Sequence, residues 1–333
     1  AGREDASIRH FFTQLALEDA QTWDYPAPGK DTIGTAIAWR YLTGLDAPVP
    51  LIAVAVCGGN YGDEWANNLH FGLEGDHAGF DAAAEKVLSR LEQFRRAHQL
   101  SDQPCMYWLA GFGRGGAVCN VAAARLAGSV RCYTFACPGT VLDPKESAGV
   151  FNLIAAADPL ALLPPGAWGF ARNGRDLYLP TSLDQRHDYA ALLAGYTQVF
   201  RQFSGRDDAV GDTALAPMAR AAALQLTEAF GSRAAYRRDW EDLLYGVLTG
   251  GRLSAGEMLR AHALLRRAAG AAQNAQRGPL PPVPSATGWL AAFASPEIAA
   301  LWAQHDPAVY FSWMLSLTDE TVLPSVSFPK SGP

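Results

Sequence analysis

Gly111-Phe112-Gly113-Arg114-Gly115-Gly116 decides how this chain is read, because the six residues fit two different machines. An apolar run, Cys105-Met106-Tyr107-Trp108-Leu109-Ala110, precedes them, and an Ala-rich helical pattern from Ala117 to Ala127 follows. Strand, tight glycine turn and helix form the setting of a nucleophile elbow, G-x-S-x-G, whose sharp turn projects a serine hydroxyl. Here the central position is Gly113, which has no hydroxyl. The same letters satisfy G-x-G-x-x-G, in which glycines let a pyrophosphate approach a helix N-terminus.

Working outward separates the two. A dinucleotide site needs an Asp or Glu near the end of the following strand to hold the ribose hydroxyls. That strand ends Thr134-Phe135-Ala136-Cys137-Pro138-Gly139, with no acid, and Asp143 lies beyond it. At least one strand and one long helix also precede the motif, whereas the fingerprint opens its domain. An NAD(P)-dependent oxidoreductase using residues 111–116 is therefore the minor alternative.

Around the motif, strand and helix signals alternate up to about residue 180. Leu51 to Val56 is a β-rich apolar run, and Ala78 to Leu100 is an amphipathic helix with Phe80, Ala84, Val87, Leu91 and Phe94 on one face. Strands follow at Val130 to Ala136 and Val150 to Ala156, with an edge strand over Arg175 to Pro180. Alternation of this kind predicts a mostly parallel sheet flanked by helices. After residue 185 the chain becomes Ala-, Leu- and Arg-rich with helical periodicity, closing in Gly278-Pro279-Leu280-Pro281-Pro282-Val283-Pro284. The expected organisation is a core of residues 1–185 and 285–333, with 186–284 inserted as a helical cap over the carboxyl ends of the strands, where ligand sites of such sheets open.

Composition narrows the classes. The chain has 333 residues, 49% hydrophobic and 18% charged, enough to bury a large core. A net charge of −6 argues against a nucleic-acid binder. No apolar run reaches membrane-spanning length. Five cysteines, Cys57, Cys105, Cys119, Cys132 and Cys137, are an odd number without ligand spacing, and the seven histidines form no metal motif. Buried thiols in a reducing, cytoplasmic compartment are the expectation, with secretion open if a leader was removed. Neither a metal nor a cofactor is expected.

Several stretches together resemble the class 3 lipases, the fungal-lipase-like branch of the α/β-hydrolases, and bacterial members in particular. His77-Ala78-Gly79-Phe80 opening a long helix resembles that family's H-x-G-F, and Leu109 to Ala117 resembles its T-G-H-S-x-G-G-A elbow. Thr134 to Pro138 is similar to its T-F-G-x-P strand. Phe151-Asn152-Leu153-Ile154 with Asp158 and Leu163-Pro164 is similar to its strand before the triad acid. His305 to Tyr310 is similar to its H-x-x-x-x-Y ending. The likeness covers roughly residues 51–180 and 300–314. It implies an α/β-hydrolase fold that hydrolyses carboxylic esters such as acylglycerols without a cofactor. It also implies a triad at positions 113, 158 and 305, in the chain order Ser, Asp, His of that fold. Asp158 also reads as a turn acid and His305 as a helix cap, and His187 is a competing histidine.

The departures cluster at the site. Gly113 stands for the nucleophile, Phe112 for a histidine and Ala110 for a threonine. Cys57-Gly58-Gly59 replaces R-G-T, so the oxyanion hole keeps only the backbone N–H groups of Gly59 and Arg114. A single serine-to-glycine knockout explains one of these four changes, not all. The reading is a hydrolase fold impaired or inactive in ester hydrolysis, its partners an acyl-chain or ester-like small molecule and a lipid surface. The alternatives are an active esterase whose serine was changed to glycine, or one using Cys57 or Cys137 as nucleophile.

Overall fold

The computed structural model describes residues 5–25, 32–43, 47–59, 67–164, 166–180, 188–207, 215, 219, 230–241 and 303–317. Among the described residues seven strands form one sheet in sequence order: β1 (Glu18–Trp23), β2 (Gly34–Leu42), β3 (Val49–Cys57), β4 (Met106–Phe112), β5 (Ser129–Phe135), β6 (Val150–Ile154) and β7 (Arg175–Tyr178). β1 to β3 pair antiparallel, and β3 to β7 pair parallel. The register sets Val56 against Gly111, Gly111 against Thr134 and Phe135 against Leu153. The carboxyl ends of β3 to β6 therefore lie side by side, and the chain leaving them carries Gly59, Gly113, Ala136 and Asp158. This is the mostly parallel, helix-flanked sheet expected from the alternating pattern, and its architecture is that of the α/β-hydrolase fold that the resemblance implies.

Helix α1 (Asp5–Gln14) buries Ile8 and Phe12 in a cluster with Ala36, Ala38 and Ala53. The other sheet face carries α2 (Ala78–Ala97) and α3 (Arg114–Ala123), whose Phe80, Val87, Phe94, Val118 and Val121 pack with Ile52 and Leu109. The buried residues of α2 recur at three- and four-residue steps, which is why this stretch is a helix with one wet face. α3 is buried along its whole length and is built almost entirely of small residues. It begins at Arg114, three residues earlier than the sequence pattern indicated, because the turn is completed at Gly113 itself.

Close approach explains the glycines. A Cβ on Gly115 would stand 2.3 Å from the Val56 carbonyl oxygen, and one on Gly111 would stand 2.3 Å from that of Gly115. Only glycine lets α3 start this near β3 and its own strand. At Gly113 the backbone turns through φ 53°, ψ −120°.

Helices α4 (Tyr189–Ser204) and α5 (Pro307–Ser316) pack on each other, with Tyr196 stacked on Trp313 at 4.4 Å. Tyr196, Phe200 and Trp313 share a cluster with Ala136, Ala155 and Leu179, the residues just past β5, β6 and β7. Most of 186–284, the expected cap, and His187 lie outside the described residues. No described helix is long and apolar enough to cross a membrane.

A polar knot lies inside the sheet–helix layer. Asn120 of α3 donates to Asn152 Oδ1 at 2.9 Å and to the Asn173 carbonyl at 2.9 Å, and accepts from Thr140 Oγ1 at 2.8 Å and Asn173 N–H at 3.1 Å. Thr134 donates to Asn152 Oδ1 at 2.7 Å. Every one of these side chains is buried. Removing one member leaves its partners unsatisfied in a dry interior, at a cost of about 1–3 kcal/mol for each orphaned group. Asn120→Ala should lower unfolding stability by about 3 kcal/mol in urea titrations, while an exposed control, Arg131→Ala, should change it by less than about 0.5 kcal/mol.

Candidate active site

The site assembles at the carboxyl ends of the strands. Asp158 follows β6 and is fully buried. Its Oδ1 accepts from Leu160 N–H at 2.9 Å, closing a turn. Its Oδ2 accepts from His305 Nδ1–H at 2.8 Å and from the Tyr310 hydroxyl at 2.7 Å. The carboxylate is thus both the turn acid and the partner of the histidine. Three donors offset the cost of burying its charge.

His305 precedes α5, where Asp306 caps the helix by accepting from Ala308 N–H at 2.8 Å and Pro307 occupies the first turn. That start fixes where Tyr310, on the second turn, points. The Tyr310 hydroxyl also accepts from Ala155 N–H at 3.1 Å, so α5 is pinned to the end of β6. Burial, then the adjacent Asp158 carboxylate, push the phenol well above its ordinary pKa, and it stays a neutral donor. The Phe112 ring lies 4.8 Å from the imidazole and edge-on to Tyr310 at 5.5 Å. Phe112 therefore packs, tilted, against the site's histidine.

With Nδ1 turned to Asp158, the other edge of His305 faces the elbow. A Cβ built on Gly113 would lie 3.0 Å from Nε2 and 3.3 Å from Cε1. Positions 113, 158 and 305 are thus brought together. Arg114 is buried, its backbone opening α3, and its Nη1 donates to Asn68 Oδ1 at 3.1 Å. Gly59 is buried two residues past β3, the strand whose Val56 pairs with Gly111. A small cavity of about 40 Å³ opens between Gly113, Arg114 and His305, walled by Leu69, Phe80 and Leu163.

The two cysteines weighed as nucleophiles are placed otherwise. Cys137 is fully buried, its thiol donates to the Pro138 carbonyl at 3.2 Å, and burial pushes its pKa up to about 12. Cys57 donates to the Tyr25 carbonyl at 3.3 Å and lies against Gly34, on the side of β3 away from β4. No disulfide joins any of the five cysteines. Among the described residues no cluster of His, Cys, Asp or Glu is arranged to hold a metal.

Three contributors were not assigned from sequence. Tyr310 steadies Asp158, and its only signal is its place five residues after His305. Asn68 holds Arg114 and has no motif. His77 caps α2: its Nδ1 accepts from Phe80 N–H at 3.4 Å and its Nε2–H donates to the Asn68 carbonyl at 3.1 Å. The loop that carries Asn68 is thereby tied to the helix start.

No family model matches this chain, and no curated protein matches it. The solved structures similar to it include fungal lipases. The lipase of Rhizomucor miehei in its propeptide complex is 18% identical, with TM-score 0.37 over 51% of this chain and 59% of that one. The lipase of Rhizopus microsporus var. chinensis is 16% identical, with TM-score 0.35 over 51% and 64%. A lipase of Yarrowia lipolytica is 10% identical, with TM-score 0.36 over 51% and 68%. The match thus spans less than two thirds of the first two. Likenesses of this size carry no weight for activity, and the reading of the site rests on its own geometry.

His77 provides a pH test. Burial is the main cause that lowers its pKa from 6.5 to about 3, so the folded state holds it neutral while the unfolded chain protonates near 6.5. Between those values the unfolded chain binds the extra proton, so stability is present above about pH 6.5 and is lost as pH falls towards 3. The slope is at most about 1.4 kcal/mol per pH unit. His77→Asn, which keeps a capping side chain, should flatten stability against pH between 4 and 6 by close to one proton, read from urea titrations.

Proposed function

We propose that this chain is a lipase-type α/β-hydrolase-fold protein that binds an acyl or ester-like small molecule at its elbow and forms no acyl-enzyme with it. The observation that carries the reading is Gly113, at φ 53° on the elbow crest, with His305 Nε2 3.0 Å from where its side chain would begin. A histidine oriented by a buried aspartate takes and returns a proton. Covalent acyl transfer also needs an oxygen or sulfur nucleophile on the crest, and glycine supplies none.

The chemistry left is small. In a dissected triad, loss of the nucleophile removes about six orders of magnitude in kcat and leaves about 10³–10⁴ over water from binding and the oxyanion hole. With no hydroxyl at Gly59, that hole has backbone donors only, and one lost donor costs a further two to three orders. Cys137, held as a thiol, does not stand in for the serine. Contact with a lipid surface is part of this reading, because an acyl ligand is delivered from one.

The test is a burst experiment with short-chain p-nitrophenyl esters. The protein as it stands should release no burst and show no turnover above buffer. Gly113→Ser should give a slow burst, because the new Cβ makes His305 yield by a few tenths of an ångström. Adding Gly59→Thr should raise it, and His305→Ala in the same background should abolish it. A burst from the unaltered protein that disappears in Cys57→Ala or Cys137→Ala would establish a cysteine enzyme instead.

A further inference from the structure

Helices α2 and α3, which connect β3 to β4 and β4 to β5, both pack on one face of the sheet. The register lays out the opposite face in rows. One row runs Ala36, Ala55, Ala110, Tyr133, Phe151 and Arg175 from β2 to β7, and the row beside it runs Ala38, Ala53, Trp108 and Arg131. Helix α1 covers the β2–β3 side of this face, where it shares a cluster with Ala36, Ala38 and Ala53. Helix α5 covers the carboxyl end, where Phe311 stacks on Phe135 at 6.2 Å. Between them a strip of β4 to β6 meets solvent. Tyr133 is 38% exposed and stacks on Phe151 at 5.5 Å, beside the half-buried Trp108 and Ala110.

Parallel strands in the middle of a sheet are as a rule covered by helices on both faces. Among the described residues no helix covers this strip. Its three strands span about 10 Å, and a helix with its side chains is about 10–12 Å across. The charge is one-sided. Asp176 is the single acid in strands β3 to β7, and it points to the other face, where it accepts from Asn152 Nδ2–H at 3.0 Å. The strip's own face carries Arg131, two residues before Tyr133, and Arg175, beside Phe151, and both are exposed. Arg131 donates to the carbonyl of its neighbour Val130 at 3.2 Å, and Arg175 has no hydrogen bond or ion pair among the described residues. Aromatic anchors in the middle with arginines beside them are the make-up of a protein interface. Helices α1 and α5 stand above the strip at two of its margins, so a flat lipid surface meets them first, whereas a helix lies between them.

We propose that this strip is a docking surface for an amphipathic helix of another protein, one whose apolar stripe is flanked by carboxylates. The stripe covers Tyr133 and Phe151, and the carboxylates pair with the Arg131 and Arg175 guanidinium groups, whose planar forks match them. A helix laid on such a strip is read through side chains three and four residues apart. The surface is separate from the elbow cavity and holds whatever that cavity binds.

The experiment titrates the intact chain against three fluorescently labelled helical peptides, read by anisotropy. One carries a Leu stripe flanked by Glu, the second has Lys in place of each Glu, and the third is the first with its order shuffled so that the stripe is lost. The Glu peptide should bind at least tenfold more tightly than either of the others, and added salt should narrow its lead over the Lys peptide. Arg131→Glu with Arg175→Glu should reverse the preference to the Lys peptide, and Tyr133→Asp should weaken both. The two arginines are exposed, so their replacement leaves the fold intact even where Tyr133→Asp does not. Equal binding of the Glu and Lys peptides, or no binding of any of the three, would overturn the proposal. So would a dimer of this chain that Tyr133→Asp dissociates, which would make a second copy the occupant. Binding to phosphatidylglycerol vesicles that is lost on reversing both arginines, with no binding of the Glu peptide, would assign the strip to a lipid surface instead.

Discussion

The approach of helix α3 to the sheet governs everything at the site. The chain leaves β4 at Phe112, turns at Gly113 through a left-handed φ of 53°, and enters a helix whose first turn touches the end of β3. A side chain at Gly111, Gly115 or Gly116 would meet backbone atoms within 3.1 Å. The three glycines let the crest stand high between the strand ends, and the crest is where Asp158 and His305 converge. The glycines that satisfy a phosphate-binding pattern in one dimension are thus consumed by packing in three.

Buried charge organises the second half of the site. Asp158 is the fixed point, and two of its three donors come from one short stretch, His305 and Tyr310. The Asp306 cap and Pro307 start α5 in a defined direction, and the Tyr310 hydroxyl anchors it to Ala155 N–H. A histidine hydrogen-bonded to Asp158 and standing directly before a capped helix has little freedom to rotate, and the Phe112 ring packs against it. Departures that look unconnected in the sequence, Phe112 for a histidine and Gly113 for a serine, are adjacent parts of one packed arrangement.

Much of this was legible in the residues. Strands β3 to β7 announce themselves as apolar runs separated by helical patterns, and the parallel ladder follows from that alternation. Asp158 and His305 were placed by chain order and by family-like surroundings. The antiparallel start of the sheet was not legible: Glu18-Asp19-Ala20-Gln21-Thr22-Trp23 has no alternating apolar face, because β1 is an edge strand that buries little. The polar knot around Asn120 was invisible for a different reason. An asparagine in an Ala-rich helix carries no local signal, and its partners at 134, 140, 152 and 173 are assembled only by the fold. Tyr310 falls between these cases. Its position was in the resemblance, but its bond to Asp158 depends on where α5 begins.

Positions 113, 158 and 305 are unequal in what a changed side chain does to the fold. Removing His305 or Tyr310 leaves a buried carboxylate short of donors, and removing Asp158 leaves the imidazole, the phenol and the Leu160 N–H without their acceptor. Breaking such a buried set costs roughly 3–5 kcal/mol. At position 113 the balance is reversed. A backbone at φ 53°, ψ −120° strains any residue with a Cβ by about 1–3 kcal/mol, and glycine adopts it freely. Position 113 is the one of the three where an absent side chain is a gain in stability, whereas Asp158 and His305 are held in place by the structure they support. A glycine at the crest beside Asp158 and His305 is therefore what the backbone energetics of this turn favour.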